Sequence, residues 1–310
     1  MTKNILVTGG CGFIGSNFIS YIFDKYDYNI WNIDSLTYAA NTSNLREEIR
    51  HSSRYHFLNC DINNFKRVRG TVASNEIKFI VNFAAESHVD NSISNSSPFI
   101  HSNINGTHTL LTLLHDYDVE KYLQISTDEV YGSLKEEDPA FTETHPVRPN
   151  SPYSASKSSA DLLCRSFFKT YGYPIVITRC SNNYGPNQHP EKFIPLVIKN
   201  AKKGLPIPVY GDGRNIRDWI QVLDHCEAID KALHKGVAGE IYNIGGKNEI
   251  RNIDIVKTIL SLLNKSTDQI KFVEDRAGHD WRYAIDNSKI SKELGWNPKI
   301  NFKKGLLDLL

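Results

Sequence analysis

Residues 4–15, NILVTGGCGFIG, form the segment that decides the fold of this chain. The first five are mostly apolar and read as a short buried strand. A turn follows in which Gly10, Gly12 and Gly15 have the Gly-x-Gly-x-x-Gly spacing, and Gly9 starts a looser version of it. Such glycines permit a tight turn and let the backbone approach an anion at a helix N-terminus. The segment therefore predicts a strand, a phosphate-binding turn and the start of a helix.

The residues that follow complete this unit. Residues 16–25 have helical apolar spacing, and residues 29–33 read as a second strand that ends at Asp34. A dinucleotide-binding βαβ unit has an acid about 20 residues beyond the glycines, which binds the adenosine ribose. The charge of Asp34 would repel a 2′-phosphate, so the pattern favours NAD over NADP.

Strand-like and helix-like runs keep alternating as far as residue 180. They fall at residues 55–59, 65–74, 78–83, 98–115, 151–171 and 174–179, with a further strand leading into residues 126–132. This alternation predicts an α/β fold, a Rossmann-type doubly wound parallel sheet with helices on both faces. We expect residues 1–180 to form an NAD-binding Rossmann domain and residues 181–310 a smaller C-terminal α/β substrate-binding region. The two are expected to be partly interleaved, with residues 241–244 a candidate strand for returning to the sheet.

Residues 123–132, LQISTDEVYG, place a hydroxyl and two adjacent carboxylates at the end of an apolar strand. Ligands bind at the carboxyl ends of strands in open parallel sheets, so Thr127, Asp128 and Glu129 are candidates for chemistry. Thr and Asp are also good helix N-caps, and this segment alone does not decide between the two roles.

Tyr153 and Lys157 are spaced i, i+4 in the helix predicted for residues 151–171, so they share one helical face. A nearby ammonium favours the phenolate, and we expect Lys157 to lower the pKa of Tyr153 toward the working pH. Tyr153 could then remove a hydroxyl proton while nicotinamide takes a hydride from the same carbon. The spacing also occurs by chance on surface helices, and it gains its meaning from the upstream glycine turn.

The bulk composition excludes several classes of protein. The formal net charge of +1 over 310 residues gives no reason to expect nucleic acid or an anionic membrane as a partner. The five cysteines form no Cys-x-x-Cys pair, so neither a zinc site nor a disulfide framework is expected, and no metal is predicted. The sequence shows no secretory leader and no apolar run long enough to span a bilayer, and the expected location is the cytoplasm.

Several segments together resemble the extended short-chain dehydrogenase/reductases, in particular the branch that dehydrates nucleotide sugars. They are the Gly9 turn with Asp34, AAESHVD at 84–90, residues 126–132, Tyr153 with Lys157, SNNYGP at 181–186, IRDW at 216–219 and residues 276–286. The resemblance runs from Asn4 nearly to the C-terminus. It implies a Rossmann fold, a bound NAD and a nucleotide-sugar substrate.

The resemblance also implies a reaction, the dehydration of a nucleotide-linked glucose, with a thymidine nucleotide favoured. Oxidation at C4 would be followed by loss of water across C5 and C6 and return of the hydride to C6. Tyr153, beside Lys157, would take the proton of the C4 hydroxyl, and Thr127 would hydrogen-bond there. Glu129 would remove the C5 proton, and protonated Asp128 would donate to the departing C6 hydroxyl. Neighbouring carboxyls can divide these roles because a like charge helps keep one of them protonated.

Binding residues are implied in two groups. Those expected at the cofactor are Gly9, Gly12, Phe13, Ile14, Gly15, Asp34, Thr37, Asp61, Ile62, Ala84, Tyr153 and Lys157. Those expected at the substrate are Glu86, Ser87, Asn182, Lys192, Arg217, Asn243, Arg276 and Tyr283. Arg217 and Arg276 would pair with the phosphates, since guanidinium geometry suits phosphate oxygens. A helix cap is the alternative for Asp61, and a surface salt bridge or loop hydrogen bond for the substrate residues.

Other functions stay open at this point. A 4-epimerase or UDP-sugar dehydratase of the same fold would share the NAD turn and Tyr153 with Lys157, although an epimerase does not need Asp128 and Glu129. From a different class, a non-catalytic NAD-binding sensor is the alternative. Thymine and uracil differ by one methyl group, which permits only modest discrimination. The resemblance further implies a homodimer, with the helices at 98–115 and 151–171 packed into a four-helix bundle.

Overall fold

The computed structural model describes residues 3–275 and 278–310. Within these residues the strands are β1 (Asn4–Thr8), β2 (Asn29–Asp34), β3 (Tyr55–Asn59), β4 (Ile77–Asn82), β5 (Lys121–Thr127), β6 (Ile175–Cys180), β7 (Asn182–Tyr184), β8 (Ile207–Tyr210), β9 (Ile216–Gln221), β10 (Ile241–Ile244), β11 (Glu249–Arg251) and β12 (Ile270–Val273). The α-helices are α1 (Phe13–Lys25), α2 (Glu47–Arg50), α3 (Phe65–Ser74), α4 (Val89–Ser94), α5 (Ser97–Phe99), α6 (Gly106–Thr112), α7 (Pro152–Tyr171), α8 (Phe193–Lys203), α9 (Val222–Lys235), α10 (Asn252–Leu262), α11 (Ser288–Leu294) and α12 (Phe302–Leu307).

The central sheet has seven strands in the order β10-β6-β5-β4-β1-β2-β3, and every pair of neighbours is parallel. From β1 the chain first builds outward through β2 and β3, and then crosses back to β4, β5 and β6 on the other side. The strand order therefore reverses between β1 and β4, which opens a crevice at the carboxyl edge of the sheet. The predicted doubly wound Rossmann-type sheet is confirmed.

Helices cover both faces of this sheet. One apolar cluster joins the sheet to α1, α9 and α11 through residues such as Phe18, Ile229 and Leu294. A second cluster on the opposite face joins it to α3, α6 and α7 through residues such as Val68 and Phe167. The parallel strands are buried on both faces, which explains their nearly continuous apolar runs in the sequence.

A smaller C-terminal part stands beside this sheet. It contains a three-stranded sheet, β11-β9-β7, and a two-stranded sheet, β12-β8, packed with α8, α10 and α12 around a third apolar cluster. The segment Ile241–Ile244 does not belong to it but pairs with β6 in the central sheet. Residues beyond 180 thus contribute to both parts of the molecule.

The helix predicted for residues 98–115 is interrupted by a π-helical turn at Ile100–Asn105. Within it, the Asn103 side chain accepts a 2.9 Å hydrogen bond from the Glu86 N–H and donates one of 3.0 Å to the Glu86 carbonyl. Its amide also donates to the Ser156 hydroxyl on α7, at 2.8 Å. Such turns often occur at functional sites, and this one fixes the loop after β4 against α7.

The cysteines and the longest helices bear on whether the chain has disulfide bonds or membrane spans. All five cysteines are buried, and none forms a disulfide. Over residues 3–275 and 278–310, the longest helices are too short or too polar to cross a membrane.

We predict that the contact between α1 and α9 depends on Asp230. Its carboxylate pairs with Lys25 at 2.7 Å and His234 at 2.9 Å, and accepts a hydrogen bond from the Tyr26 hydroxyl at 2.9 Å. Although burial acts in the opposite direction, these partners lower the pKa of Asp230. Asp230→Asn should reduce the free energy of unfolding by about 1–3 kcal/mol near neutral pH, because Lys25, Tyr26 and His234 lose a buried, charged acceptor.

The lowered pKa of Asp230 determines how the stability difference between the two proteins should change with pH. A carboxylate whose pKa is lower in the folded state stabilises the fold above its unfolded pKa and loses that contribution as pH falls. Denaturant unfolding of both proteins should therefore show a difference near pH 7 that shrinks below about pH 4. A difference that stays constant with pH would contradict the assignment.

Candidate active site

The glycine turn lies between the carboxyl end of β1 and α1, where the strand order reverses. Gly9 has a φ of +69°, and a Cβ atom there would lie 2.7 Å from the backbone nitrogen of Ala84, so only glycine fits. Gly12 is the N-cap of α1 and brings no side chain to this end. A Cβ atom on Gly12 would meet only the Gly9 carbonyl oxygen, at 3.3 Å, and its other side is open to a cleft. The N-terminal N–H groups of α1 therefore border a space that suits a phosphate.

Asp34 lies beside this turn and holds it in place. Its Oδ2 accepts a 2.9 Å hydrogen bond from the Cys11 N–H, and its Oδ1 accepts one of 2.8 Å from the Leu36 N–H. Burial raises the pKa of Asp34, and these two N–H groups oppose the rise. Each carboxylate oxygen can accept a further hydrogen bond, so the residue can still bind a ribose hydroxyl.

The remaining residues predicted at the cofactor lie along the same cleft. Its lining includes Gly9, Gly12, Phe13, Ile14, Gly15, Asp34, Thr37, Asp61, Ile62, Ala84, Tyr153 and Lys157. These residues come from the ends of four neighbouring strands, β1 to β4, and from α1 and α7, and the fold brings them into one continuous surface.

Asp61 does not cap α3, which was the alternative for it. The N-cap is Asn64, whose side chain accepts a hydrogen bond from the Arg67 N–H. Asp61 instead accepts from the Asn63 N–H at 2.7 Å and pairs with His101 at 2.9 Å. Although burial acts in the opposite direction, these hydrogen bonds lower the pKa of Asp61. A carboxylate is thus kept at the outer end of the cleft.

The segment after β5 both caps a helical turn and carries the two acids. The Thr127 hydroxyl oxygen caps the 3₁₀ turn Asp128–Tyr131 by accepting a 3.3 Å hydrogen bond from the Glu129 N–H. Thr127 and Glu129 line the cleft, whereas Asp128 lies behind them and is only 2 % exposed. Two adjacent carboxyls therefore have different surroundings, which is the condition for one to act as acid and the other as base.

The surroundings of Asp128 favour its protonated form. Burial, and then the nearby charges of Glu129 and Asp218, raise the pKa of Asp128 well above its usual range, while Arg217 opposes the rise. Its Oδ1 accepts a 3.3 Å hydrogen bond from the Thr127 hydroxyl. Its Oδ2 is buried and has no hydrogen-bond partner among the described residues. A carboxylic acid in this position retains a proton that it can donate.

Tyr153 and Lys157 share the face of α7 that borders the cleft, as their spacing predicted. The predicted lowering of the Tyr153 pKa is wrong for the protein chain itself. Burial, and then the charge of Glu129, raise the pKa of Tyr153 well above its usual value, and only a hydrogen bond with Thr127 opposes them to a notable extent. Burial also lowers the pKa of Lys157, whose Nζ donates a 2.6 Å hydrogen bond to the Ile125 carbonyl. The sequence spacing showed the ammonium but not the desolvation that outweighs it.

The residues predicted at the substrate fall into two groups. Glu86, Ser87, Asn182 and Lys192 line the cleft, and Lys192 Nζ donates a 3.0 Å hydrogen bond to the Ser87 carbonyl. Burial raises the pKa of Glu86, and the charge of Lys192 opposes the rise. Arg276 lies outside the described residues.

The other three, Arg217, Asn243 and Tyr283, are buried and do not line the cleft. Arg217 donates a 2.9 Å hydrogen bond to the Asp280 carbonyl, and its Cζ lies 4.3 Å from the centre of the Tyr283 ring. Asn243 is completely buried, accepts a 2.8 Å hydrogen bond from the Tyr131 hydroxyl and donates one to the Phe141 carbonyl. The structure therefore gives Asn243 a role in packing and places Arg217 behind the acids. The polar sequence segments that contain Arg217 and Asn243 could not show whether these side chains face the cleft or the interior of the protein.

Sequence reasoning missed a number of cleft residues. They are Ile33, Ser35, Ala39, Ala40, Cys60, Phe83, Ala85, Ser102, Ile125, Ser126, Cys180, Ser181, Asn183, Gln188 and His189. Many of them end a strand of the central sheet or directly follow one, so the strand-end rule applied to every strand would have found them. Ser102 belongs to the π-helical turn and Gln188 to an irregular loop, and neither carries a local sequence signal.

Comparison with known proteins identifies the family. The family model described as GDP-mannose 4,6 dehydratase matches residues 6–309. The low-salt glycan biosynthesis protein Agl12 of Haloferax volcanii is 50% identical over 98% of this chain and 96% of its own length. The dTDP-glucose 4,6-dehydratase of Haemophilus influenzae is 47% identical over 98% of this chain and 95% of its own length.

A solved structure gives the same result. The dTDP-glucose 4,6-dehydratase of Bacillus anthracis, crystallised with NAD, is 49% identical and superposes with a TM-score of 0.92 over 99% of this chain and 95% of its own. The resemblance drawn from the sequence is confirmed, and the chain belongs to the GDP-mannose 4,6 dehydratase family.

Proposed function

We propose that this protein is an NAD-dependent dTDP-glucose 4,6-dehydratase that forms the nucleotide-linked 4-keto-6-deoxy sugar. The observation that carries the proposal is the pair of acids at the end of β5. Asp128 is buried with a raised pKa, and Glu129 faces a cleft that also holds Tyr153 and Lys157. An epimerase of this fold has no use for a second proton donor at this position. The relatives from Haemophilus influenzae and Bacillus anthracis carry the same activity in their names.

The cleft residues suit NAD. The bare N-terminus of α1 fits a pyrophosphate, and the open side of Gly12 allows it a close approach. Asp34 fits the adenosine ribose, and Tyr153 and Lys157 border the opposite end. When bound, NAD supplies a hydride acceptor for C4 and a hydride donor for C6.

We predict that Asp34→Asn weakens NAD binding by about 1.5–3 kcal/mol, the range for hydrogen bonds to a charged group. Loss of the negative charge should also narrow the preference for NAD over NADP. Calorimetric titration of the cofactor-free protein with both dinucleotides measures the two effects. Asp27→Asn is a matched control because its side chain is 84% exposed in the loop before β2. Unchanged affinity in Asp34→Asn would remove this residue from the cofactor site.

The first proton transfer is assigned to Tyr153. Its hydroxyl is buried beside Thr127 and lies at the cleft, where it can accept the proton of the sugar C4 hydroxyl. Tyr153 accepts this proton as its phenolate, which the positive charge of Lys157 one helical turn away stabilises against the burial that raises its pKa. The Thr127 hydroxyl would form a hydrogen bond with the C4 oxygen of the sugar.

The elimination is assigned to the two acids. The C4 ketone makes the C5 proton acidic, and Glu129 accepts that proton from the cleft side. Asp128 donates its proton to the C6 hydroxyl, which leaves as water. Glu129 then returns its proton to C5. Tyr153 ends the cycle with one proton more and Asp128 with one proton fewer, and exchange with solvent restores both.

The nucleotide sugar is assigned to the mouth of the cleft. Glu86, Ser87 and Asn182 would contact the sugar, and Lys192 and Arg276 would contact the diphosphate. Arg217 keeps a role through charge, since it lies close enough to oppose the rise in the Asp128 pKa. Tyr283 lies next to Arg217. Burial, and then the charge of Glu129, raise the pKa of its hydroxyl well above the usual value.

Mass spectrometry after incubation with dTDP-glucose and, separately, UDP-glucose tests this function. The dehydratase is expected to remove one water from dTDP-glucose with no net reduction of NAD. An unchanged mass with a changed sugar configuration would indicate an epimerase, and no conversion of either compound would indicate a binding protein. Faster dehydration of UDP-glucose would assign the other base.

We also propose a division of labour along the chain and a homodimer. Residues 1–180 would bind the dinucleotide and residues 181–310 the nucleotide sugar, with β10 and α9 shared between them.

The proposed homodimer would pack the helices at 98–115 and 151–171 into a four-helix bundle. Ile100 and Leu162 on these helices are 48% and 55% exposed, which supports an apolar contact there. Light scattering measures the mass of the protein in solution and so tests whether it is a dimer. A cytoplasmic location stays a prediction.

A further inference from the structure

Helix α7 carries a third buried ionisable group on the face of Tyr153 and Lys157. Asp161 follows Lys157 by four residues, so the two side chains lie on the same side of the helix. Lys157 is 5% exposed and Asp161 is 2% exposed. Lys157 lines the cleft, whereas Asp161 does not and lies deeper along the helix.

A cation on the neighbouring strand fixes the Asp161 carboxylate. Asp161 Oδ2 accepts a 2.9 Å hydrogen bond from Arg179 Nε on β6, and Arg179 is itself 4% exposed. The Arg179 guanidinium also lies 4.7 Å from the centre of the Tyr131 ring. Asp161 Oδ1 is buried and has no hydrogen-bond partner among the described residues. One carboxylate thus stands near two buried cations but is hydrogen-bonded to only one of them.

The other described groups that face Lys157 carry no negative charge near pH 7. Tyr153 and Cys164 lie on α7 and Cys180 on β6, while β5 presents the Ile125 carbonyl. Burial raises the pKa of Cys180 to about 12 and that of Cys164 well above its usual value, so both thiols are neutral near pH 7. Burial lowers the pKa of Lys157, and the charge of Asp161 is the largest influence that opposes it.

We propose that Asp161 is a positioning residue that keeps Lys157 charged from behind the cleft, with Arg179 fixing its carboxylate. The proposal rests on the proposed function, in which the cation of Lys157 supports the phenolate of Tyr153. It assigns Asp161 a part in the reaction that does not depend on contact with sugar or dinucleotide.

Three variants separate this role from a structural one. Asp161→Asn removes the carboxylate, Arg179→Gln removes its hydrogen-bond partner, and the double variant removes both, so that neither Asp161 nor Arg179 is left as a buried charge without the other. Turnover should fall as pH rises through the Lys157 pKa, because the reaction needs the cation. In Asp161→Asn and in the double variant, the basic limb of the kcat profile should move to lower pH by about one unit or more. In Arg179→Gln, which keeps the carboxylate, the limb should stay near that of the wild type.

A structural ion pair predicts a different pattern. Arg179→Gln and Asp161→Asn would then lose stability and activity alike, with the limb in place. That result would overturn the proposal, as would a limb that moves as far in Arg179→Gln as in Asp161→Asn. If Asp161→Asn does not fold, the double variant and Arg179→Gln still give opposite expectations. Asp230→Asn is the control, since it removes a different buried carboxylate, which pairs with Lys25 between α1 and α9, and it should leave the limb unmoved.

A second readout does not depend on turnover. Protein labelled with [ε-¹³C]lysine reports the titration of Lys157, whose resonance is assigned by its loss in Lys157→Met. The midpoint should fall in Asp161→Asn and in the double variant, and not in Arg179→Gln. If the wild type fails to convert nucleotide sugars, the proposed function is wrong, and this titration still tests Asp161 by itself.

Discussion

Replacing Glu129 with glutamine is expected to slow formation of the 4-keto-6-deoxy product by about 10²–10⁴-fold, the range lost with a general base. The amide keeps the size of the side chain at the cleft but cannot accept the C5 proton. Tyr153 and Lys157 remain intact, so oxidation at C4 should continue. Reduced nicotinamide should therefore accumulate on the protein when the nucleotide sugar is added.

Three measurements check this expectation. Mass spectrometry follows the product, and absorbance follows the reduced nicotinamide. Incubation in heavy water follows exchange of the C5 proton with solvent, and we expect this exchange to be absent in the variant. Glu227→Gln is a suitable control because Glu227 lies on α9 and pairs with Lys299, away from the cleft. Near-normal turnover in Glu129→Gln would remove this residue from the mechanism and with it the main argument for a dehydratase.

Replacing Tyr153 with phenylalanine should also reduce turnover by about 10²–10⁴-fold, but at an earlier step. The hydroxyl that accepts the C4 proton is gone, so oxidation itself should fail. Because burial and the charge of Glu129 raise the pKa of this phenol, removing the hydroxyl spares the fold the cost of a buried ionisable group. We expect the variant to fold and to bind both ligands.

The contrast between the two variants is the sharpest test of the assigned order of steps. Tyr153→Phe should give neither product nor reduced nicotinamide, whereas Glu129→Gln should give reduced nicotinamide without product. Tyr171→Phe on the same helix is the control, since Tyr171 is 51% exposed. Accumulation of reduced nicotinamide in Tyr153→Phe would show that another group accepts the C4 proton.

The half of the cleft that carries the glycine turn and Asp34 could be predicted closely from the sequence. Gly9, Gly12 and Asp34 act through backbone geometry and through their places at strand ends, which the chain order of one βαβ unit determines. The strand at residues 241–244 and the helix at 151–171 were also visible as apolar runs of the right period. Local patterns of this kind carry over into the fold because each depends on near neighbours in the chain.

The positions of the residues proposed for the substrate could not be predicted to the same degree. Arg217 and Asn243 lie in segments typical of the family, yet both are buried and do not line the cleft. Asn243 binds Tyr131 and Phe141, which are about 100 residues earlier in the chain. Contacts over such distances depend on how β10 joins the central sheet, and no local pattern specifies them.

The sequence alone determined the fold class, the dinucleotide turn and the presence of an adjacent acid pair beside a Tyr–Lys pair. Only the tertiary structure decided how those groups differ. It buries Asp128 and leaves Glu129 at the cleft, which gives the two acids different surroundings, and at Tyr153 burial and the charge of Glu129 raise the pKa of the phenol. It also brings Asp161 into a hydrogen bond with Arg179 and close enough to Lys157 for its charge to raise the pKa of that lysine. The physical reason is that a protonation state depends on desolvation and on charges brought together by folding, neither of which residue spacing contains.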